Sequence, residues 1–290
     1  MFDNIFAAIE KWMRELLTGM VESNMSTMFT DVNEKTSEIA AQVGRTPQNW
    51  NSSVFSMIQN LSESVVVPIA GIIITLVLCY ELISMLTERN NLHDVDAWMF
   101  FKYFVKAWVA IYLVSNTFTI TMAVFDVGQS VVNSASGIIN GETAIDVSSL
   151  SMQMQAAMAT MEIGELVVLA LETFLVSFCM KIMSVVITVI VYGRMIEIYL
   201  YTSLAPIPFA TMSNREWGHV GTNYFRGLFA LAFQAFLMMV CVAIYAALIS
   251  SVRISSNMHS ALIGVAAYTV ILCFSLMKTG SLSKQIFSSH

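Results

Sequence analysis

Three charged side chains, Glu81, Glu172 and Lys181, fall inside long apolar runs of the chain. Ionisable groups in such runs mark a polar conduit or a subunit interface, because hydrocarbon penalises an unpartnered charge. Glu165 and Glu172 are seven residues apart and share a helix face. Lys181 is nine residues beyond Glu172, half a turn out of phase, so the two cannot pair on one helix. Each must find a partner on another helix or reach water; snorkelling of Glu165 and Lys181, with only Glu172 buried, is the alternative. Other chemistry is absent from the pattern. No HExxH, GxSxG, Walker-type glycine loop or CxxC occurs. His93, His219, His259 and His290 are scattered and do not read as a metal site. Cys79, Cys179, Cys241 and Cys273 all lie in apolar runs, where a free cysteine packs as a small hydrophobe. We assign no catalytic, cofactor-binding or metal-ligating residue and expect no enzyme and no cofactor.

The elements that carry these charges are set by composition. Of 290 residues, 57% are hydrophobic and 12% charged, and the mean hydropathy is +0.70. Soluble domains carry about 45–50% apolar and about 25% charged residues. The pattern predicts an all-α, polytopic membrane protein with about five transmembrane helices. Residues 65–86, 103–125, 162–192 and 227–249 are four clear spans, and 261–277 is a shorter fifth.

Residues 1–64 are expected to form an N-terminal amphipathic helix and a polar extracytoplasmic lead-in. Residues 65–125 hold helices 1 and 2, and 126–161 are an extracytoplasmic loop. Residues 162–277 hold helices 3 to 5, and 278–290 are a cytoplasmic tail. The start MFDNIFAAIEKWMRELL does not read as a secretory signal. Its apolar residues, among them Ile5, Ile9, Trp12 and Leu16, recur at helical spacing, as in a helix lying in the membrane interface or on another protein. Twenty-one methionines suit adaptable packing surfaces.

Lysines and arginines orient the spans. Arg89 and Lys102 border the first interhelical loop, whereas residues 126–161 contain no Lys or Arg. Arg194, Arg215 and Arg226 surround a further apolar stretch, 195–212. These positions predict an outside N-terminus and a cytoplasmic C-terminus, provided that 195–212 does not cross.

That stretch contains Pro206 and Pro208. Neither offers the N–H a helix needs, and each disfavours helical geometry in the residue before it. A helix arriving through Ile196–Tyr201 should therefore break near Leu204, with Ala205 and Ile207 extended. The expected outcome is a re-entrant or interfacial segment that shapes the structure and does no chemistry. It makes the span count five rather than six.

The stretch VYGRMIEIYLYTSLAPIPFATMSNREWGHVGTNYFRGLFALAFQAFLMMVCVAIY (191–245), with LMKTGSLSKQIFSSH (276–290), resembles the TrbL-like polytopic proteins of conjugative elements. These are relatives of the polytopic inner-membrane channel subunit of VirB-type IV secretion systems, and this version is similar to that of Gram-positive integrative elements. The resemblance is most specific over about 190–290 and mainly topological over the first 160 residues. It implies a channel subunit in the cytoplasmic membrane with an outside N-terminus and about five spans. It also implies a homo-oligomer contacting other inner-membrane subunits and the transfer ATPase, and helping single-stranded DNA with its relaxase across the membrane. DNA contact has no support from charge: the net charge is −6, and 126–161 is wholly non-basic. The alternative class is a stand-alone secondary transporter or ion channel, against which stands the lack of internal repeats.

Overall fold

A computed structural model describes residues 2–87, 97–139, 147–251 and 258–288. Helices are the only regular elements among them. Hydrocarbon demands this, since a helix satisfies its backbone N–H and C=O groups within one segment. Five helical stretches are long and apolar enough to span: Ser52–Thr87, Ala97–Ser115, Ile163–Ser203, Gly218–Ser250 and Met258–Ile286. The protein is an all-α polytopic membrane protein, and the described residues hold the expected number of candidate spans.

The details depart from the expectation in several places. Helix α1 runs unbroken over Phe2–Val43, so the amphipathic start is the first part of a much longer helix. Helix α2 (Pro47–Trp50) is capped by the Thr46 hydroxyl, which accepts from the Asn49 N–H, and Pro47 supplies the preset φ of a first helical position. Asn51 caps α3 (Ser52–Leu61) in the same way through the Val54 N–H.

A π turn, Ser62–Val66, then leads into α4 (Val67–Thr87). Pro68 explains the widening. It lacks the N–H that would reach Ser64, and its ring would press on that carbonyl. The ladder opens just upstream, where the Val67 N–H reaches back to the Ser62 carbonyl.

Helix α5 (Ala97–Ser115) stops inside the expected span 103–125, and α6 (Thr117–Ile139) begins after Asn116. At the joint, side chains compete for helix carbonyls. Asn116 donates to Tyr112 O at 2.9 Å, and Thr117 donates to Leu113 O and Val114 O. The expected loop 126–161 is also mostly helical, in α6 and α7 (Val147–Met158); polar residues fill a helix readily once one face has packed. Helices α8 (Ile163–Ser203), α9 (Pro206–Thr211), α10 (Gly218–Ser250) and α11 (Met258–Ile286) complete the chain. At 41 residues, α8 is about 60 Å long, roughly twice the hydrocarbon thickness.

The chain divides into two units. One comprises residues 1–43, 134–191 and 238–278. In it α1 buries Val21, Met25, Met28, Val32, Ile39 and Val43, and α8 buries Leu166, Ala170, Thr173, Ser177, Met180, Ile187 and Val191. Both sets follow steps of three, four and seven, the seam of two helices packed side by side. Arg14 donates to Met161 O at 2.7 Å, Asn24 to Thr173 Oγ1 at 3.4 Å and Lys35 to Thr188 Oγ1 at 3.2 Å. Residue numbers rise together along both helices, so α1 and α8 are parallel. Met154 and Met158 of α7 are buried as well, and α7 packs on α1.

The other unit comprises residues 44–133, 192–237 and 279–290. Its core joins Val124 and Phe125 of α6, Met195 and Ile198 of α8, and Leu228, Leu231 and Ala232 of α10. Gly128 permits the α6–α10 approach, since a Cβ there would stand 2.9 Å from the Ala232 carbonyl oxygen. Trp50 lies edge-on to Tyr192 at 5.4 Å and tilted against Tyr199. The Tyr199 hydroxyl donates to Pro47 O at 2.6 Å, which ties α2 to α8.

Candidate functional site: the proline hairpin

The hairpin from Ser203 to Gly218 joins α8 to α10 within the second unit. Helix α8 ends at Ser203, next to the expected break at Leu204. Ala205, however, is helical (φ −50°, ψ −39°) rather than extended, and Ile207 lies within α9. The turn stays tight instead of unfolding. Ala205 N–H reaches Thr202 O and Ile207 N–H reaches Leu204 O, each at 3.2 Å, and Phe209 N–H reaches Ala205 O. Pro206, with no N–H to place, takes the first position of α9, where none is required. Ala205 is fully buried, and close packing around it outweighs the pre-proline preference.

Helix α9 is held between two spans. Phe209 and Ala210 pack with Ala70, Ile74 and Leu78 of α4 and with Ala110 and Val114 of α5. Tyr201 and Tyr224 close the arms of the hairpin, their rings stacked at 4.4 Å and 8°. The Tyr224 hydroxyl donates to Tyr201 O at 2.6 Å, and the Tyr201 hydroxyl donates to Tyr224 O at 3.4 Å. Buried Asn214 finishes the turn, its Oδ1 accepting from the N–H groups of Glu216 and Trp217 at 2.7 and 3.0 Å. This satisfies donors of the turn that leads into α10.

A polar cleft of about 140 Å³ opens beside the hairpin, lined by Tyr80, Glu81, Ser84, Asn214, Arg215 and Glu216. The Tyr80 hydroxyl donates to Glu216 at 3.0 Å, and its ring stacks on Trp217. Glu81 pairs with Lys106 of α5. The cleft wall therefore carries two carboxylates and one cation, Arg215, with Lys106 reaching Glu81 from α5, and no nucleophile set against a base. Among the described residues, no group of three or more His, Cys, Asp or Glu could hold a metal ion.

The Glu81–Lys106 pair should act as a clip between α4 and α5. Half-exposed pairs are worth less than buried ones, so Lys106→Met is expected to cost about 1 kcal/mol. The exchanged pair, Glu81→Lys with Lys106→Glu, should recover most of it. Thermal unfolding of the purified protein in detergent checks this, and an exchanged pair less stable than Lys106→Met alone would contradict it.

The remaining charges sit elsewhere. Glu172 pairs with His259 of α11 in the first unit, a partner 87 residues away that no local pattern announces. Lys181 is exposed on α8, with no ion pair among the described residues. The Glu165 carboxylate accepts from the Glu162 N–H at 3.2 Å, at the start of α8. Arg194 is buried, with its guanidinium 3.5 Å from Leu231 O and its Nε without a partner. Lys102 stands over the Trp98 ring at 5.7 Å. Arg215 and Arg226 are exposed. Arg89, His93, Arg253 and His290 lie outside the described residues.

A family model of TrbL/VirB6 plasmid conjugal transfer like proteins matches residues 32–206. The chain belongs to the TrbL/VirB6-like family. No curated protein and no solved structure matched it. The family match runs from the second half of α1 through α8 and ends on Pro206. It thus covers most of the first 160 residues, where the resemblance is mainly topological, and only the opening of 191–245. In this TrbL/VirB6-like protein the hairpin begins where the matched region stops.

Proposed function

We propose that this protein is a membrane-spanning channel or scaffold subunit of a conjugative type IV secretion apparatus, helping single-stranded DNA and its relaxase cross the cytoplasmic membrane. The observation that carries the reading is the conjugal-transfer family match over residues 32–206, on a chain with five helices able to span a bilayer. The protein works as a homo-oligomer beside other inner-membrane subunits, and a partner ATPase supplies the energy. It does no chemistry of its own. Its N-terminus is outside and its C-terminus cytoplasmic, a placement supported by Lys102, Arg215 and Arg226 on one side and by the lysine- and arginine-free 126–161 on the other. Pro206 and Pro208 shape the inner mouth, and the Glu81, Glu172 and Lys181 positions serve interhelical or intersubunit contacts.

Deleting the gene in a donor strain should abolish DNA transfer while relaxase nicking at the origin continues. Transfer at the normal frequency would refute the proposal. Specific solute or ion flux from the purified protein alone in liposomes would favour a stand-alone transporter.

A further inference from the structure

The polar cleft beside the proline hairpin leaves both signs of charge unfinished. Its carboxylates are each half committed: Glu81 Oε1 accepts from Lys106, and Glu216 Oε2 accepts from the Tyr80 hydroxyl. The second oxygen of each is left for another donor. Donors on the same wall are also uncommitted. Arg215 is exposed, with no ion pair among the described residues. Buried Asn214 gives its Oδ1 to the turn, and its Nδ2 has no partner. With Lys106 counted, the charges balance at two of each sign. At about 140 Å³ the cleft is far roomier than the roughly 10–15 Å³ that a single water requires.

An apolar neighbour of the cleft identifies the kind of ligand. Going back along α4 from Tyr80, the residues Leu76, Ile72 and Ile69 follow at steps of four, four and three, all exposed. They form one apolar stripe that ends at the cleft. Eleven positions separate Ile69 from Tyr80, about 16 Å of helix, which matches one leaflet of a hydrocarbon core about 30 Å thick. At the head of the stripe the Tyr80 ring stacks on Trp217, and both are exposed. Tyrosine and tryptophan are the side chains that settle at headgroup level. A molecule that fills the cleft and lies on the stripe is therefore polar at one end and apolar over the depth of a leaflet.

We infer that the cleft binds the headgroup of a membrane phospholipid carrying an ammonium as well as a phosphate, with an acyl chain along Ile69, Ile72 and Leu76. The phosphate pairs with Arg215, and the ammonium donates to the open oxygens of Glu81 and Glu216. A purely anionic headgroup answers Arg215 but brings no donor to the carboxylates. A trimethylammonium has no N–H to give. Tyr80 and Trp217 stack on each other at 13°, so they do not box a quaternary ammonium as an aromatic cage does. The inference rests on the reading of α4 as a membrane span. On the orientation proposed above, the lipid belongs to the cytoplasmic leaflet, where it joins α4 to the turn that leads into α10.

The test uses the purified full chain in detergent and measures bound lipid by native mass spectrometry. Phosphatidylethanolamine should bind roughly tenfold tighter or more than phosphatidylglycerol or phosphatidylcholine with the same acyl chains, as one charge-assisted hydrogen bond would give. Arg215→Gln should weaken phosphatidylethanolamine about tenfold, while Arg215→Lys keeps most of the affinity. Glu216→Gln, which still offers Tyr80 an acceptor, should cut the preference over phosphatidylcholine to less than about threefold. Equal binding of the three lipids, tighter phosphatidylglycerol, or an Arg215→Gln chain that binds as the parent does would overturn the inference. Glycerophosphoethanolamine has the headgroup without acyl chains; if it bound as tightly as the lipid, the ligand would be soluble and the inference overturned. Should Arg215→Gln or Glu216→Gln lower the Tm, Ser84→Phe, which fills the cleft and leaves its charges in place, is read instead. It should abolish the lipid preference, and a preference that survived it would overturn the inference. None of these readouts needs DNA transfer, so their failure is distinguishable from a failed deletion test.

Discussion

Replacing Gly221 by alanine is expected to cost about 1–3 kcal/mol, the range for overpacking a tight contact, and replacing it by leucine to keep the protein from accumulating. A Cβ at Gly221 would stand 2.1 Å from Met212 Cγ and 2.5 Å from the Pro208 carbonyl oxygen. The methionine can swing away, but the carbonyl belongs to the backbone of α9 and cannot move alone. Relief requires α9 to lift from α10, and α9 is already held by α4 and α5 through Phe209 and Ala210. Gly193 of α8 is the matched control, because a Cβ there has nothing within 4 Å. Gly193→Ala should raise stability by up to about 1 kcal/mol through helix propensity alone. Thermal unfolding in detergent measures both, and two variants shifting in the same direction would contradict the account.

The second large effect belongs to Phe209. Its side chain is 3% exposed; it packs among Ala70, Ile74, Leu78, Ala110 and Val114 and lies edge-on to Tyr224 and Phe225. Phe209→Ala should cost about 3–5 kcal/mol, the usual loss when a core aromatic leaves a cavity. Phe209→Leu preserves most of the volume and should cost less than about 1.5 kcal/mol. Donors carrying Phe209→Ala are expected to transfer DNA poorly in proportion to the folded protein lost from the membrane, and donors carrying Phe209→Leu nearly normally. Full transfer by a Phe209→Ala donor would show that the packing of α9 between α4 and α5 is dispensable.

Both effects arise at a hairpin that the two prolines announced. The break near Leu204 was legible because a proline withholds an N–H whatever its surroundings. The conformation of Ala205 was not, because the pre-proline preference is weak and burial of that alanine overrode it. Asn116 shows the same limit. It sits mid-run by hydropathy, yet α5 ends and α6 begins on either side of it, where its side chain shares the Tyr112 carbonyl with its own N–H. Gly221 carried no signal at all, since its need for a missing Cβ comes from Pro208 and Met212 across the turn.

Charge partners divide likewise. Glu172 sits in an apolar run and had to meet something, but His259 became its partner only when α11 came alongside α8. Arg194 lies at the end of an apolar run and reads as a flank, yet it is buried against α10. By itself the sequence determined the all-helical class, five candidate spans among the described residues and the place of the proline break. Those follow from local rules: apolar length against bilayer thickness, and the lack of a donor at proline. The tertiary structure alone decided which charges pair and where α9 docks, because each depends on residues far apart in the chain meeting in space.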